Sequence, residues 1–296
     1  MLSILISTYN HACYRLVKSL QSQAERLVAG GDFMYEIIVS DDASTDESAI
    51  LINQRINTLP HCTFIQQPQN RGQAINRNWL IANSHHPYVL FIDADAQVLS
   101  EDFLKNYWAN RHVAPVVCGS LCNLQAPCPK GCELRYKYEE AAAKIRTLEF
   151  RRAHSSYFLT AFNLFFNREV FKQITFDERC KSYGYEDALL GLELAERGIQ
   201  IHHIANPLIH TGIDTNAVFL QKTRTALHTL YQLGEPLHSF AGPSRWRKKL
   251  AEKRLLCFFR WTFKLFRPLC EKQLLSRHPS LFLFKLYKLG YYANIK

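Results

Sequence analysis

The first part of the chain alternates apolar runs of strand length with amphipathic stretches of helix length. Leu2-Ser3-Ile4-Leu5-Ile6 reads as a strand entering the polar loop Ser7-Thr8-Tyr9-Asn10. Residues 11–28 carry Leu16, Val17, Leu20 and Leu27 at helical spacing, and Gly30-Gly31-Asp32 ends that helix. A second strand, Tyr35-Glu36-Ile37-Ile38-Val39, closes in Ser40-Asp41-Asp42-Ala43-Ser44-Thr45-Asp46, where Ser44 or Thr45 is placed to cap a helix through Arg55. Thr63-Phe64-Ile65 is a short third strand, Pro68-Gln69-Asn70-Arg71-Gly72 a loop, and residues 73–84 a helix. Tyr88-Val89-Leu90-Phe91-Ile92 has the unbroken apolar character of a strand buried on both faces, and it ends in Asp93-Ala94-Asp95. Strands alternating with helices predict an α/β fold with a Rossmann-like, mostly parallel sheet flanked by helices.

The pattern is less legible beyond residue 112. Residues 134–152 read as one charged helix, 156–166 as a strand and 167–171 as a short helix. Glu186 and Asp187 stand at the start of a further helix, where acids complement the helix dipole or serve as a base. Residues 198–204 form another strand, followed by Asn206-Pro207-Leu208-Ile209-His210. From Arg245 the character changes. Lys249, Lys253, Arg260, Lys264 and Arg267 fall within a helical sector of about 60°, while Leu255, Phe258, Phe259, Trp261, Leu265, Phe266 and Leu269 spread over the other side. Pro268 disfavours further helix, and residues 281–288 repeat the composition.

Charge sharpens that division. The net charge of the 296 residues is +10, but residues 245–296 hold 14 Lys/Arg against two Glu, a local net of +12 that leaves −2 for residues 1–244. A basic, aromatic, amphipathic tail suits an anionic membrane surface. The alternative is a helix packed on the rest of the protein with its charges in water. Nucleic acid is disfavoured, because a phosphate groove needs no broad apolar face. No apolar run reaches the length of a membrane span and no secretory signal is visible, so the expectation is a cytoplasmic protein, peripheral on the inner face of the cell membrane. Nine Cys without an export signal point to free thiols. Cys118, Cys122, Cys128 and Cys132 are spaced C-x3-C-x5-C-x3-C, which lacks the paired C-x2-C knuckles of a zinc site, so reduced thiols are the expected state.

Three strands in succession end in small polar or acidic residues, and parallel strands bring such ends to one sheet edge, where α/β folds bind ligands. Two acids one residue apart, Asp93 and Asp95, suit a hard divalent cation that in turn holds a diphosphate. Neither G-x-G-x-x-G nor a phosphate-loop motif is present, which disfavours dinucleotide and P-loop enzymes.

Ile6-Ser7-Thr8-Tyr9-Asn10, Val39-Ser40-Asp41-Asp42-Ala43-Ser44-Thr45-Asp46, Asn70-Arg71-Gly72 with Arg77-Asn78, Asp93-Ala94-Asp95 and Glu186-Asp187 occur in an order that resembles the family 2 glycosyltransferases of GT-A fold. The resemblance covers residues 2–212. It implies an inverting transfer of a sugar from a nucleotide-sugar, most simply UDP-linked, to a hydroxyl of a glycan or lipid-linked acceptor, as in surface polysaccharide synthesis. It further implies a nucleotide site of Ser7, Tyr9, Asn10, Asp41, Asp42, Arg71, Arg77 and Asp93. Metal ligands would be Asp95, Asp93 and His210 for Mn2+ or Mg2+, with Asp187 as base and Glu186 as a supporting or acceptor-binding acid. These roles fit the side chains: Tyr9 can stack on a pyrimidine, Asp41 can accept a ring N–H, and Arg71 can pair with phosphate. The expected organisation is a catalytic domain over 1–215, its nucleotide half 1–112 and acceptor half 113–215, then a helical C-terminal region over 216–296 that is basic from 245. Two other readings stay open: a non-catalytic nucleotide-sugar-binding protein on the same scaffold, and a nucleotidyltransferase.

Overall fold

The apolar runs with polar ends become neighbouring strands. In the computed structural model, which describes residues 1–31, 33–122 and 127–295, β1 (Leu2–Thr8), β2 (Tyr35–Asp41), β3 (Cys62–Gln66) and β4 (Tyr88–Asp93) lie in the order β3-β2-β1-β4. All four are parallel, and the register sets Ser7 between Ser40 and Asp93, with Thr8 beside Asp41. The polar ends therefore share one edge. Helices α1 (Tyr14–Ala29), α2 (Glu47–Gln54) and α3 (Gln73–Ala82) make the crossovers. Ile4, Leu5 and Ile6 are buried on alternating faces of β1, as a strand covered from both sides requires. Leu16, Val17, Leu20 and Ala24 form the buried side of α1.

The sheet continues through β5 (Ala96–Val98), β6 (Val116–Cys122), β7 (Asn163–Asn167) and β8 (Ile201–His210) in the order β4-β7-β6-β8-β5. β7 runs antiparallel to β4 and β6, β8 is parallel to β6, and β5 is antiparallel to β8. Among the described residues only β5 and β7 oppose the other strands, so the sheet is mostly parallel, as expected. The helices that follow in the chain are α4 (Phe103–Asn110), α5 (Glu133–Ile145), α6 (Leu148–Ala153) and α7 (Glu186–Glu196).

The chain divides into two compact units, residues 1–124, 146–181 and 186–212, and residues 125–145, 182–185 and 213–296. The first contains the whole sheet. The second is helical, with α5 joined by α8 (Asn216–Leu233), α9 (Leu237–Phe240), α10 (Gly242–Glu252), α11 (Leu256–Leu274) and α12 (Leu281–Ala293). Its core gathers Leu134, Phe219, Leu220, Phe263, Leu274, Phe284 and Tyr287. Among the described residues no helix is long and apolar enough to cross a membrane.

Several local expectations are corrected. The cap of α2 is Asp46, which accepts from the Ser48 and Ala49 N–H groups. Ser44 donates to Asp41 and accepts from the distant Asn10 N–H, and Thr45 donates its N–H and hydroxyl to the Asn10 side-chain oxygen. Residues 134–152 are two helices, because Thr147 caps a new start at Phe150 N–H (3.2 Å). Residues 156–166 are strand only from Asn163; Ser155–Phe158 is a 3-10 turn. β8 runs on through Pro207, which sits where the β6–β8 register shifts and a missing N–H is tolerated. α11 continues past Pro268 to Leu274. The charge sector counted across 249–267 does not belong to one helix, since the chain breaks between α10 and α11 with Arg254 at φ 58°.

Gly191 shows how tightly α7 is seated. A Cβ there would fall 2.3 Å from the Ser156 carbonyl oxygen. Gly191→Ala is therefore expected to destabilise the protein by about 1–3 kcal/mol through overpacking, despite the helix preference of Ala of about 1 kcal/mol. Thermal unfolding checks this.

Candidate active site

The sheet edge is built from hydrogen bonds that fix polar strand ends. Asn76, on α3, donates to Ser7 Oγ (2.8 Å) and to the Ser40 carbonyl (3.0 Å) and accepts from Ser40 Oγ. Asn10 holds φ 52° and uses its side-chain oxygen to accept from the Thr45 (2.8 Å) and Asp46 (3.0 Å) N–H groups, bracing the loop after β2. Asp41 accepts from the Ser44 hydroxyl and N–H; burial pushes its pKa up, against those bonds. Asp42 is buried and braces a different loop, accepting from Arg71 N–H (3.0 Å) and Gly72 N–H (2.9 Å). Gly72 is at φ 91°, and a Cβ there would lie 2.9 Å from the Lys181 carbonyl, so both conformation and space call for glycine. Arg71 donates to Gln67 Oε1 (3.1 Å), and its Nε has no partner among the described residues. Tyr9 stands half exposed beyond β1.

Next to this lies a cluster of acids organised by one cation. Arg77, also on α3, is 2% exposed and donates to Asp93 Oδ1 (2.7 Å) and Asp187 Oδ1 (3.4 Å). Its guanidinium rests 5.2 Å from the Phe176 ring centroid. Burial alone would lower the Arg77 pKa, but Asp93, Asp187 and Glu186 outweigh it and leave the pKa raised. The second oxygen of Asp187 accepts from Thr160 Oγ1 and Ala161 N–H, both at 3.1 Å. Gln73 bridges the group: turned so that its oxygen takes an Arg77 proton (2.6 Å), its nitrogen donates to Glu186 Oε1 (3.2 Å). Burial and the neighbouring Asp187 charge push Glu186 up to about 7. Burial likewise raises Asp93, with Arg77 opposing.

Asp95 follows β4 and is clamped by the end of β8. His210 Nε2 lies 3.0 Å from Asp95 Oδ2, and Thr211 donates its N–H (2.9 Å) and hydroxyl (2.7 Å) to the Asp95 carbonyl. A Cβ on Gly212 would fall 2.7 Å from Asp95 Oδ2, so a larger residue there would displace the carboxylate. The β5–β8 pairing, with Ala96 opposite His210, sets the clamp. Asp95 and His210 thus offer one carboxylate and one imidazole at one point, while Asp93 turns an oxygen to Arg77. Among the described residues no three His, Cys, Asp or Glu side chains gather as a closed metal cage. A two-residue set fits a Mg2+- or Mn2+-type ion, which keeps most of its shell for phosphate oxygens and water.

The structure thus brings Asp93, Asp187, Glu186 and Arg77 together, and pairs Asp95 with His210. Asn10 and Asp42 are committed to loop bracing. Gln73, Asn76, Thr160 and Thr211 were missed. The first two had a signal, since 73, 76 and 77 share one side of a helix; Thr160 and Thr211 had none. His203 is buried in a separate knot, accepting from Arg151 Nη1 (3.1 Å) and donating to the Ser155 carbonyl (2.8 Å), and burial lowers its pKa to about 4. Among the described residues no two Cys are joined by a disulfide.

The family model for glycosyl transferase family 2 matches residues 3–175. The poly(ribitol-phosphate) beta-glucosyltransferase of Bacillus spizizenii is 30% identical over 122 residues, 40% of this chain and 19% of that protein. The chain spans less than half the length of the curated relatives it matches. Two solved structures share the fold with a TM-score of 0.52. A mannosyltransferase of Pyrobaculum calidifontis in complex with GDP-Man and Mn2+ is 16% identical and aligns over 99% of this chain and 84% of its own. The glucosyl-3-phosphoglycerate synthase of Mycobacterium tuberculosis, in complex with Mn2+, UDP and glucosyl-3-phosphoglycerate, is 17% identical over 78% and 79%. The fold is the GT-A fold expected.

Glu186 makes the site pH-sensitive. A carboxyl raised from 4.5 to about 7 holds its proton longer when folded than when unfolded, so its contribution to stability is full below pH 4.5 and is lost as pH rises through about 7. Glu186→Gln, which cannot ionise, is expected to gain stability over the native protein across that window, with a flat advantage above it and none below. Unfolding midpoints measured from pH 4 to 8 check the sign.

Proposed function

The chain belongs to glycosyl transferase family 2, and from that premise we propose that it transfers a sugar from a nucleotide-sugar to an acceptor hydroxyl with inversion, aided by a divalent cation. The observation that carries the proposal is the meeting of Asp93 and Asp187 on the buried Arg77 guanidinium, which sets a strand-end acid of the donor side beside an acid able to act as base. A UDP-linked donor is supported by the polar edge of Ser7, Tyr9 and Asp41, whose loops Asn10 and Asp42 brace, and by the UDP and Mn2+ of the mycobacterial neighbour. The acceptor hydroxyl in this proposal lies on a glycan or lipid-linked acceptor of a surface polymer; the name of the Bacillus relative, a poly(ribitol-phosphate) beta-glucosyltransferase, supports a polymeric acceptor. A peripheral position on an anionic membrane is part of the proposal, supported by the one-signed charge of residues 245–296.

In this mechanism Asp187 takes the proton of the acceptor hydroxyl as its oxygen attacks the anomeric carbon from the face opposite the diphosphate. Arg77 holds one Asp187 oxygen, and Thr160 with the Ala161 N–H holds the other, so the carboxylate enters the reaction already oriented. Glu186, pushed up to about 7, carries its proton for part of the time at neutral pH and can hydrogen-bond the acceptor as donor or acceptor. Arg71 brings positive charge to the donor side, where the leaving diphosphate accumulates negative charge. Asp95 and His210 would hold Mn2+ or Mg2+, which supplies Lewis-acid neutralisation of that diphosphate.

Two measurements test the proposal. Asp187→Asn should lower turnover by about 10²–10⁴-fold, the usual scale of a general base, while UDP still raises the unfolding temperature. A larger loss in Glu186→Gln would exchange the roles of the two acids, and UDP binding without turnover of any sugar donor would make the protein a binding module. In a thermal-shift panel of UDP, GDP, dTDP and CDP, stabilisation by UDP that requires Mn2+ and disappears in Asp95→Ala is expected. A flat response to all four nucleotides would contradict the donor site.

A further inference from the structure

Helix α11 is apolar on two opposite sides. Placed at 100° per residue, Leu256, Phe263, Cys270 and Leu274 share one side, and Phe263 and Leu274 lie in the core of the helical unit. Phe258, Trp261, Leu265 and Leu269 line the other side, and they are 66%, 63%, 61% and 63% exposed. The inward side already satisfies the packing of the helix, so folding gives no reason for a second row of large apolar side chains. Contiguous exposed apolar surface of this kind marks an interaction site.

The surrounding charge identifies what covers it. Glu271 is the one acid of α11, and it is turned to Arg224 and Arg267 and accepts from the Tyr287 hydroxyl. Among the described residues Arg260, Lys264 and Lys272 of α11, and Lys253 and Arg254 just before it, form no ion pair. A second copy would bring like charges against these side chains. An anionic bilayer meets both features at once: apolar and aromatic side chains enter the boundary between headgroups and acyl chains, and long cationic side chains reach lipid phosphates. We propose that the outward side of α11 docks on an anionic lipid bilayer through Phe258, Trp261, Leu265 and Leu269, with Lys264 and Lys272 on the headgroups. The inference rests on the peripheral membrane position proposed above and gives that position a face.

The test is cosedimentation of the full chain with phosphatidylcholine vesicles, with and without phosphatidylglycerol, in the absence of any nucleotide-sugar. The protein should bind the mixed vesicles, and less so as salt rises. Phe258→Ser with Trp261→Ser should lower the partition coefficient roughly tenfold or more, with an unchanged unfolding midpoint because both side chains are exposed. Lys264→Glu with Lys272→Glu should also weaken binding to the mixed vesicles. Leu51→Ser, at an apolar position of α2 that is 64% exposed, should leave binding unchanged. No binding, equal binding to pure phosphatidylcholine, or equal loss in Leu51→Ser would overturn the proposal. So would a lipid-free dimer, seen by light scattering, that Phe258→Ser with Trp261→Ser dissolves; that result would assign the face to a second copy. Because no sugar donor is present, failure here leaves the transfer reaction untouched, and failure of transfer leaves this result readable.

Discussion

A single buried guanidinium, carrying carboxylates on two sides, is the constraint around which the site is arranged. Arg77 is 2% exposed, and its charge is sustained by Asp93, Asp187 and Glu186. Removing one member of such a set leaves the others buried and uncompensated, which in fully buried pairs costs about 3–5 kcal/mol; Asp93 and Asp187 are 26% and 29% exposed, so the cost here lies below that range. The interaction also sets geometry. Asp93 ends β4, Asp187 opens the first turn of α7 and Arg77 comes from α3, so three elements distant in the chain are held in one arrangement. The buried position of Arg77 makes it an organiser of acids, whereas Arg71 and Tyr9 remain accessible to a ligand.

Around that centre each brace acts on a backbone segment. Asn10 holds the loop after β2, Asp42 holds the turn into α3, Asn76 holds the ends of β1 and β2, and Thr211 with Gly212 holds Asp95. Polar groups bonded in this way fix one arrangement of the loops they join. A preorganised edge of this type suits the proposed reaction, in which charge develops on a diphosphate.

Much of this was legible in the residues. Apolar runs ending in acids give parallel strands whose ends meet, and that logic located Asp41, Asp93 and Asp95 on one edge. Other parts depended on long-range partners that local pattern does not encode. β6 takes its place from pairing with β7 and β8, and residues 113–122 carry no periodicity of their own to announce it. Thr160 looked like one polar position in an apolar run, yet its hydroxyl goes to Asp187. Asp46 displaced Ser44 and Thr45 as the cap because both are drawn into tertiary bonds. The break before α11 contains neither Gly nor Pro and turns on Arg254 in the left-handed region. That break changes the tail: two short helices replace one long amphipathic one, and α11 turns an apolar row outward.

Steady-state kinetics of Arg77→Lys, with a donor that turns over, test most directly whether Arg77 organises the acids. A lysine keeps the charge but has no fork with which to hold two carboxylates at once. The predicted result is a kcat lowered by about 100-fold or more with the donor KM within about threefold, the pattern of an interaction felt in the transition state. A donor KM raised about tenfold or more with kcat preserved would mean that Arg77 binds the nucleotide directly, and would contradict the account.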